Sequence, residues 1–159
     1  MSATALPTFI DALVAALQAR AGLAGVSVYS CPVSPEDLGK EAIELAAETD
    51  VVQTAAAMGS TDIEESFDVK GSIVCFTPMP AGASTAATIN GAAKTVRDRA
   101  CAILGEVESE LSTNDTVTAT VRDAHTTSIK VNQGMAPEGQ LGRWCAIEFT
   151  ISAEAHTTP

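Results

Sequence analysis

The chain has 159 residues, with 9 Lys plus Arg against 20 Asp plus Glu and a formal net charge of −11. Such a surface has no basic stripe with which to displace counterions from nucleic acid, and an anionic bilayer repels it. Apolar residues make up 46% of the chain but aromatics only 4%, so the large core anchors are few: Phe9, Phe67, Phe76, Phe149 and Trp144.

An Ala-rich core of this kind leaves stability to be completed by association with other copies. No apolar run approaches the length that spans a bilayer. The N-terminus lacks a basic region ahead of its apolar stretch, so no signal peptide is expected, and the chain is expected to be soluble and intracellular. The length fits one domain covering residues 1–159.

Taken in order, residues 6–21 form the first predicted helix. Leu6, Ile10, Leu13 and Leu17 line one face, widened by Phe9 and Val14, with Pro7 in the first turn. Gly22 is placed to end it in a left-handed conformation. A short strand over Val26–Cys31 follows, then an irregular connection through Pro32, Pro35 and Gly39. Residues 41–58 carry two signals. Ala, Glu and Leu favour helix, whereas Ile43, Leu45 and Ala47 alternating with Glu44, Ala46 and Glu48 fit a half-exposed strand; the strand is taken. Asp62 to Glu65 is expected to be a solvated turn. From Ser66 to Thr77 the alternation is clearer, with Phe67, Val69, Gly71, Ile73 and Cys75 on one side. Val74 and Phe76 break it, so both faces are expected to be covered there.

Residues 84–111 predict a long helix, about 40 Å at 1.5 Å per residue. Ile89, Ala93, Val96, Ala100, Ile103, Val107 and Leu111 form its apolar stripe, and Ser84 or Thr85 is its N-cap. Past it, Val117, Ala119 and Val121 alternate as a strand that Ser128–Asn132 continues. Asn132 to Arg143 predicts a long hairpin loop. The last strand is the clearest, with Cys145, Ile147, Phe149, Ile151 and Ala153 inward and Trp144, Ala146, Glu148, Thr150 and Ser152 outward. A short flexible tail is expected from about residue 155, loose over His156–Pro159. The sum is an α+β domain: a mostly antiparallel sheet of four to six strands with two main helices packed on one face.

Few residues invite chemistry. Cys31, Cys75, Cys101 and Cys145 form no CxxC pair, and neither His125 nor His156 stands at ligand spacing from them. Buried reduced thiols are the expectation for Cys75, Cys145 and Cys101. Cys31 has no neighbouring base, and His125 is expected on a strand surface. Glu64 and Glu65 alternate to opposite sides of a strand, so they form no acid/base couple and are expected at a solvated edge. Gly134, Gly139 and Gly142 do not bridge a strand to a helix as a phosphate loop requires. No catalytic residue, metal or cofactor is therefore expected. Trp144, beside the predicted loop, serves either packing or an interface.

The order of elements, with IELAAE, QTAAAMG, EESFDVKGSIVCF, the capped helix AAKTVRDRACAILGEVESEL and the closing RWCAIEFTISAEA, resembles the tail terminator (tail completion) proteins of long-tailed bacteriophages over about residues 6–155. The resemblance implies a structural virion protein without enzymatic activity. It implies a homo-oligomer, commonly a hexameric ring, that caps the tail tube and joins it to the head-tail connector. Its partners would be the tail tube protein and a neck or head-completion protein, at a tail-neck junction assembled in the bacterial host cytoplasm. DNA would pass through the lumen without specific binding, and an acidic lumen would keep it from sticking. The loops 31–41, 77–83 and 132–143 would reach neighbours, which makes Trp144, Arg143, Met135, Pro137, Pro80 and Leu38 the interface candidates. Two alternatives stand beside this one: another neck or tail-tube ring protein, and a small-ligand-binding or enzymatic α+β domain.

Overall fold

The computed structural model describes residues 4–56, 62–82, 85–135 and 141–157. Two helices, α1 (Leu6–Ala19) and α2 (Ala86–Thr113), pack on one face of a single sheet. Its strands are β1 (Ser27–Tyr29), β2 (Glu41–Ala55), β3 (Ile63–Pro78), β4 (Asp123–Met135) and β5 (Gly142–Thr157). They lie in the order β1-β2-β3-β5-β4; β1 runs parallel to β2 and every other pairing is antiparallel. The predicted α+β class and the helices on one face hold.

β3 and β5 form the centre, in register from Ile63 opposite Thr157 to Pro78 opposite Gly142. Their odd-numbered residues face the helices: Phe67, Val69, Ile73 and Cys75 on one strand, Cys145, Ile147, Phe149, Ile151 and Ala153 on the other, all buried. Against them α2 lays Val96, Ala100, Ile103, Leu104, Val107 and Leu111, which is the predicted stripe with its N-terminal turns left at the margin. Thr85 is the N-cap, its hydroxyl accepting from the Thr88 amide at 3.3 Å; Ser84 lies outside the described residues. α1 adds Phe9, Leu13 and Leu17, and the Phe9 ring meets Phe67 edge-on, centroids 5.2 Å apart.

Polar clamps fix the helices. The Arg20 guanidinium, just past α1, reaches Glu106 at 2.7 Å, Glu110 at 2.8 Å and the Ser109 hydroxyl at 3.0 Å on α2. That bond, with one from Asn114, holds the Glu110 carboxyl below its usual range. Arg99 on α2 donates twice to the Glu41 carboxylate at the start of β2.

Glu65 corrects the expectation of a solvated turn. Ile63 already belongs to β3, and Glu65, only 2% exposed, is the one buried charged residue among those described. Its carboxylate accepts from the Ala5 amide at 2.8 Å, from the Thr4 hydroxyl and from the Gln53 amide at 3.1 Å. Ala5, the residue at the N-cap of α1, has no side-chain oxygen, so Glu65 supplies a cap across the fold where the positive end of the helix dipole favours an anion.

Four further expectations change. α1 ends at Ala19, and Gly22 sits in a short 3₁₀ turn (Ala21–Leu23); the left-handed residue is Gly25, with φ 85°. The predicted strand through Val117, Ala119 and Val121 is a compact turn in which Val117, Thr118 and Ala119 have φ of 41°, 58° and 61°. L-residues enter that region at a cost. Here the cost is offset by complete burial of Val117 and by the Asn114 side chain, which accepts from the Thr118 amide at 2.9 Å. The predicted 132–143 loop is shorter, because β4 runs to Met135 and β5 begins at Gly142. His156 and Thr157, expected in a loose tail, pair with Glu64 and Ile63.

β2 is a strand, as its alternation and not its helix propensity indicates, but it carries an irregularity. Three residues, Leu45 to Ala47, stand opposite Gly71 alone, and Ala46 adopts φ 53°. Gly71 makes this possible, since a Cβ there would lie 2.6 Å from the Phe149 ring and 3.0 Å from the Glu44 carbonyl. Gly71→Ala is therefore expected to lower stability by about 2 kcal/mol in urea unfolding, and adding Phe149→Leu should recover part of the loss.

The Glu110 shift fixes a sign on the acid side. A depressed carboxyl stabilises above its unfolded value of 4.5, and the benefit disappears as pH falls from there through the lower folded value. The unfolding free energy of Glu110→Gln should fall less steeply below pH 4.5 than that of the parent chain.

Candidate functional site

Five of the six residues expected at an interface are described, and the elements that carry them meet at one end of the sheet. β5 begins there, β3 and β4 end there, and the loop bearing Leu38 enters β2 there. Pro80 is exposed in the turn after β3, and the Met79 amide ties that turn to the Leu141 carbonyl at 3.0 Å. Pro137 lies outside the described residues.

Trp144 is on the sheet face away from the helices, opposite Phe76 on one side and Gly134 on the other. Its indole covers Gly134 so closely that a Cβ there would come within 2.8 Å of Nε1. The indole packs as an aromatic laid over an edge-strand glycine. Arg143 points to the opposite face, its Nε buried without a hydrogen-bond partner. Met135, at the end of β4, is 73% exposed. Leu38 is half-buried in the 30–40 loop, which is held by the Val33 amide donating to Glu44 at 2.8 Å and the Tyr29 hydroxyl to the Asp37 carbonyl at 2.9 Å. Val74 and Phe76 are half-buried, so cover over the second face is partial at that end.

Sequence reasoning missed the edges. The exposed large hydrophobic side chains among the described residues are Val51, Val52, Ile129, Val131, Met135 and Leu141. All lie on β2 and β4 or, for Leu141, at the mouth of β5. β1 pairs with β2 only from Ala42 to Glu44, so the rest of β2 has no strand outside it among the described residues; β4 has none along its whole length. A signal was present in the adjacent Val51 and Val52, which place apolar side chains on both faces of one strand. It was hidden because the residues between Leu45 and Thr49 do not reveal how the strand is aligned.

The remaining chemical groups are dispersed. The Asp123 carboxylate lies 2.9 Å from His125 Nδ1, where it can only accept, but both side chains are more than half exposed, and no described hydroxyl hydrogen-bonds to the ring. They border a shallow groove of about 340 Å³ with Glu108, Leu111, Asp115 and Thr126. A solvated imidazole–carboxylate pair without a held nucleophile supplies no activated group. Among the described residues no three His, Cys, Asp or Glu side chains are placed to hold a metal ion, and no helix is long and apolar enough to cross a membrane.

The cysteines divide in a way that corrects one expectation. Cys75 and Cys145 are buried, directly opposite each other on β3 and β5, whereas Cys101 is exposed on the outer face of α2, as is Cys31 in its loop. The stripe of α2 turns Ala100 inward and therefore Cys101 outward. Burial, with a smaller contribution from the Glu41 carboxylate, pushes the Cys75 thiol up to about 12, and burial raises Cys145 as well. Ellman's reagent at pH 8 should react rapidly with Cys31 and Cys101 and reach Cys75 and Cys145 only after denaturation.

No protein-family model matches this chain, and no curated protein matches it.

Proposed function

We propose that the protein is a structural, ring-forming component of a phage virion, a tail terminator that caps the tail tube and joins it to the head-tail connector. The observation that carries the assembly part is the pair of bare sheet edges bearing the exposed Val51, Val52, Ile129, Val131 and Met135. Unpaired edges with apolar side chains are sites where another chain adds. A head-to-tail contact of this kind closes into a ring when its rotation permits. The placement at the tail-neck junction rests on the likeness in element order described above.

In this reading the sheet face away from the helices lines the lumen. Glu48, Asp50, Asp68, Glu148 and Glu154 stand on that face against Lys70 and Lys130, a surplus of negative charge that passing DNA would not adhere to. The tube protein and the neck protein would meet the two rims, the first candidate rim being the end that gathers Trp144, Met135 and Pro80.

Light scattering of the purified chain over a range of concentrations, followed by negative-stain imaging, tests the proposal. Rings with a central hole are expected. A compact monomer at every concentration, with a small molecule bound in a cleft, would replace it with the ligand-binding alternative.

A further inference from the structure

The two bare edges match each other at one particular register. Asp50 and Lys130 point to the same face of the sheet, since they stand opposite Asp68 and Glu148 on the neighbouring strands. Val51 and Ile129 point to the helix face, opposite Phe67 and Phe149, and are 41% and 48% exposed. β2 runs antiparallel to β3, β3 to β5 and β5 to β4, so β4 runs antiparallel to β2. A second copy set beside the first, with its helices on the same side, therefore brings β4 against β2 in the antiparallel sense.

We infer that β2 of one copy pairs with β4 of a second copy in the register that sets Asp50 opposite Lys130 and Val51 opposite Ile129. This rests on the assembly reading above and gives the contact its two surfaces, its direction and its alignment. In that register opposite charges meet on one face and apolar side chains on the other. Moving the strands by one residue turns every side chain to the wrong face. Sliding them by two one way keeps Lys130 opposite an acid, Glu48, but sets Ile129 against Thr49. Sliding the other way sets Val131 opposite Val51 but Lys130 against Val52, so only the proposed register makes the charge match and the apolar match together.

The charge on β2 also calls for a partner. Asp50 stands directly opposite Asp68, a like-charge pair across two strands, and the nearby Lys70 is already bonded to Glu48 at 2.6 Å. Lys130, bonded to Glu148 at 3.3 Å and 69% exposed at its side chain, is the only Lys or Arg on β4. Because each copy has one edge of each kind, the contact is head-to-tail and repeats from copy to copy.

The test uses the full chain with Cys31→Ser and Cys101→Ser, which removes the exposed thiols. Adding both Val51→Cys and Ile129→Cys and oxidising with diamide should give a ladder of dimers and higher species on a non-reducing gel. Either cysteine variant alone should stay at the monomer position. In the parent background Asp50→Lys is expected to weaken association by about fivefold, and Asp50→Lys with Lys130→Asp should restore it, read by sedimentation velocity.

A disulfide-linked dimer from Val51→Cys alone or Ile129→Cys alone would mean like edges meet, and would overturn the inference. So would a charge swap no better than its single members, or the absence of any ladder from a chain that light scattering shows to be assembled; the assembly reading would survive that last result. A ladder accompanied by open filaments supports the edge pairing and removes the ring. A chain that is monomeric at every concentration overturns both.

Discussion

The sixteen consecutive residue pairs between β3 and β5 are the constraint on which the remaining structure depends. They fix the parity of the sheet, putting the odd-numbered residues of both strands under α2 and the even-numbered ones on the other face. With aromatics scarce, the core relies on this alignment to bring Phe67, Phe149, Ile73 and Ile147 beneath one helix stripe. A slip of one residue would expose all of them together. The Phe149 ring further demands that its neighbour be Gly71, and Gly71 in turn admits the extra residues of β2.

Legibility in the sequence followed the strength of periodic burial. α2 and β5 were readable because each carries an apolar pattern of one period over many residues. β2 was readable as a strand only because alternation outweighed the helix preference of Glu, Ala and Leu. Val117, Ala119 and Val121 imitate alternation, yet the buried members are Val117 and Val121 while Ala119 is exposed. Burial four residues apart, on a turn stabilised by Asn114, gives the same letters as a strand. Glu65 was illegible for a different reason: its partners Thr4 and Ala5 lie some sixty residues away, and nothing local marks a carboxylate as a helix cap.

The candidate site was the least legible part. Trp144 attracted notice because it is large and falls on the outward parity, and its partner turned out to be a glycine of the same sheet. The edge residues Val51 and Ile129 are individually ordinary. Their meaning comes from strand order, which a single chain of letters does not disclose, and from the shortness of β1, which leaves most of β2 uncovered. A one-layer arrangement of helices over a five-strand sheet concentrates the unsatisfied surface in two strips. The other face carries the acidic side chains Glu48, Asp50, Asp68, Glu148 and Glu154.

The cap that Glu65 gives α1 has a consequence for the order in which the molecule takes shape. α1 emerges ahead of every strand of the sheet, but the carboxylate that receives its leading amide is 60 residues further along. At about 5 to 20 residues per second the ribosome needs about 3 to 12 s to supply it. Until then the Ala5 amide lacks its carboxylate and α1 has no sheet to lie on, so of the elements described the one made ahead of the others is among the last to become fixed.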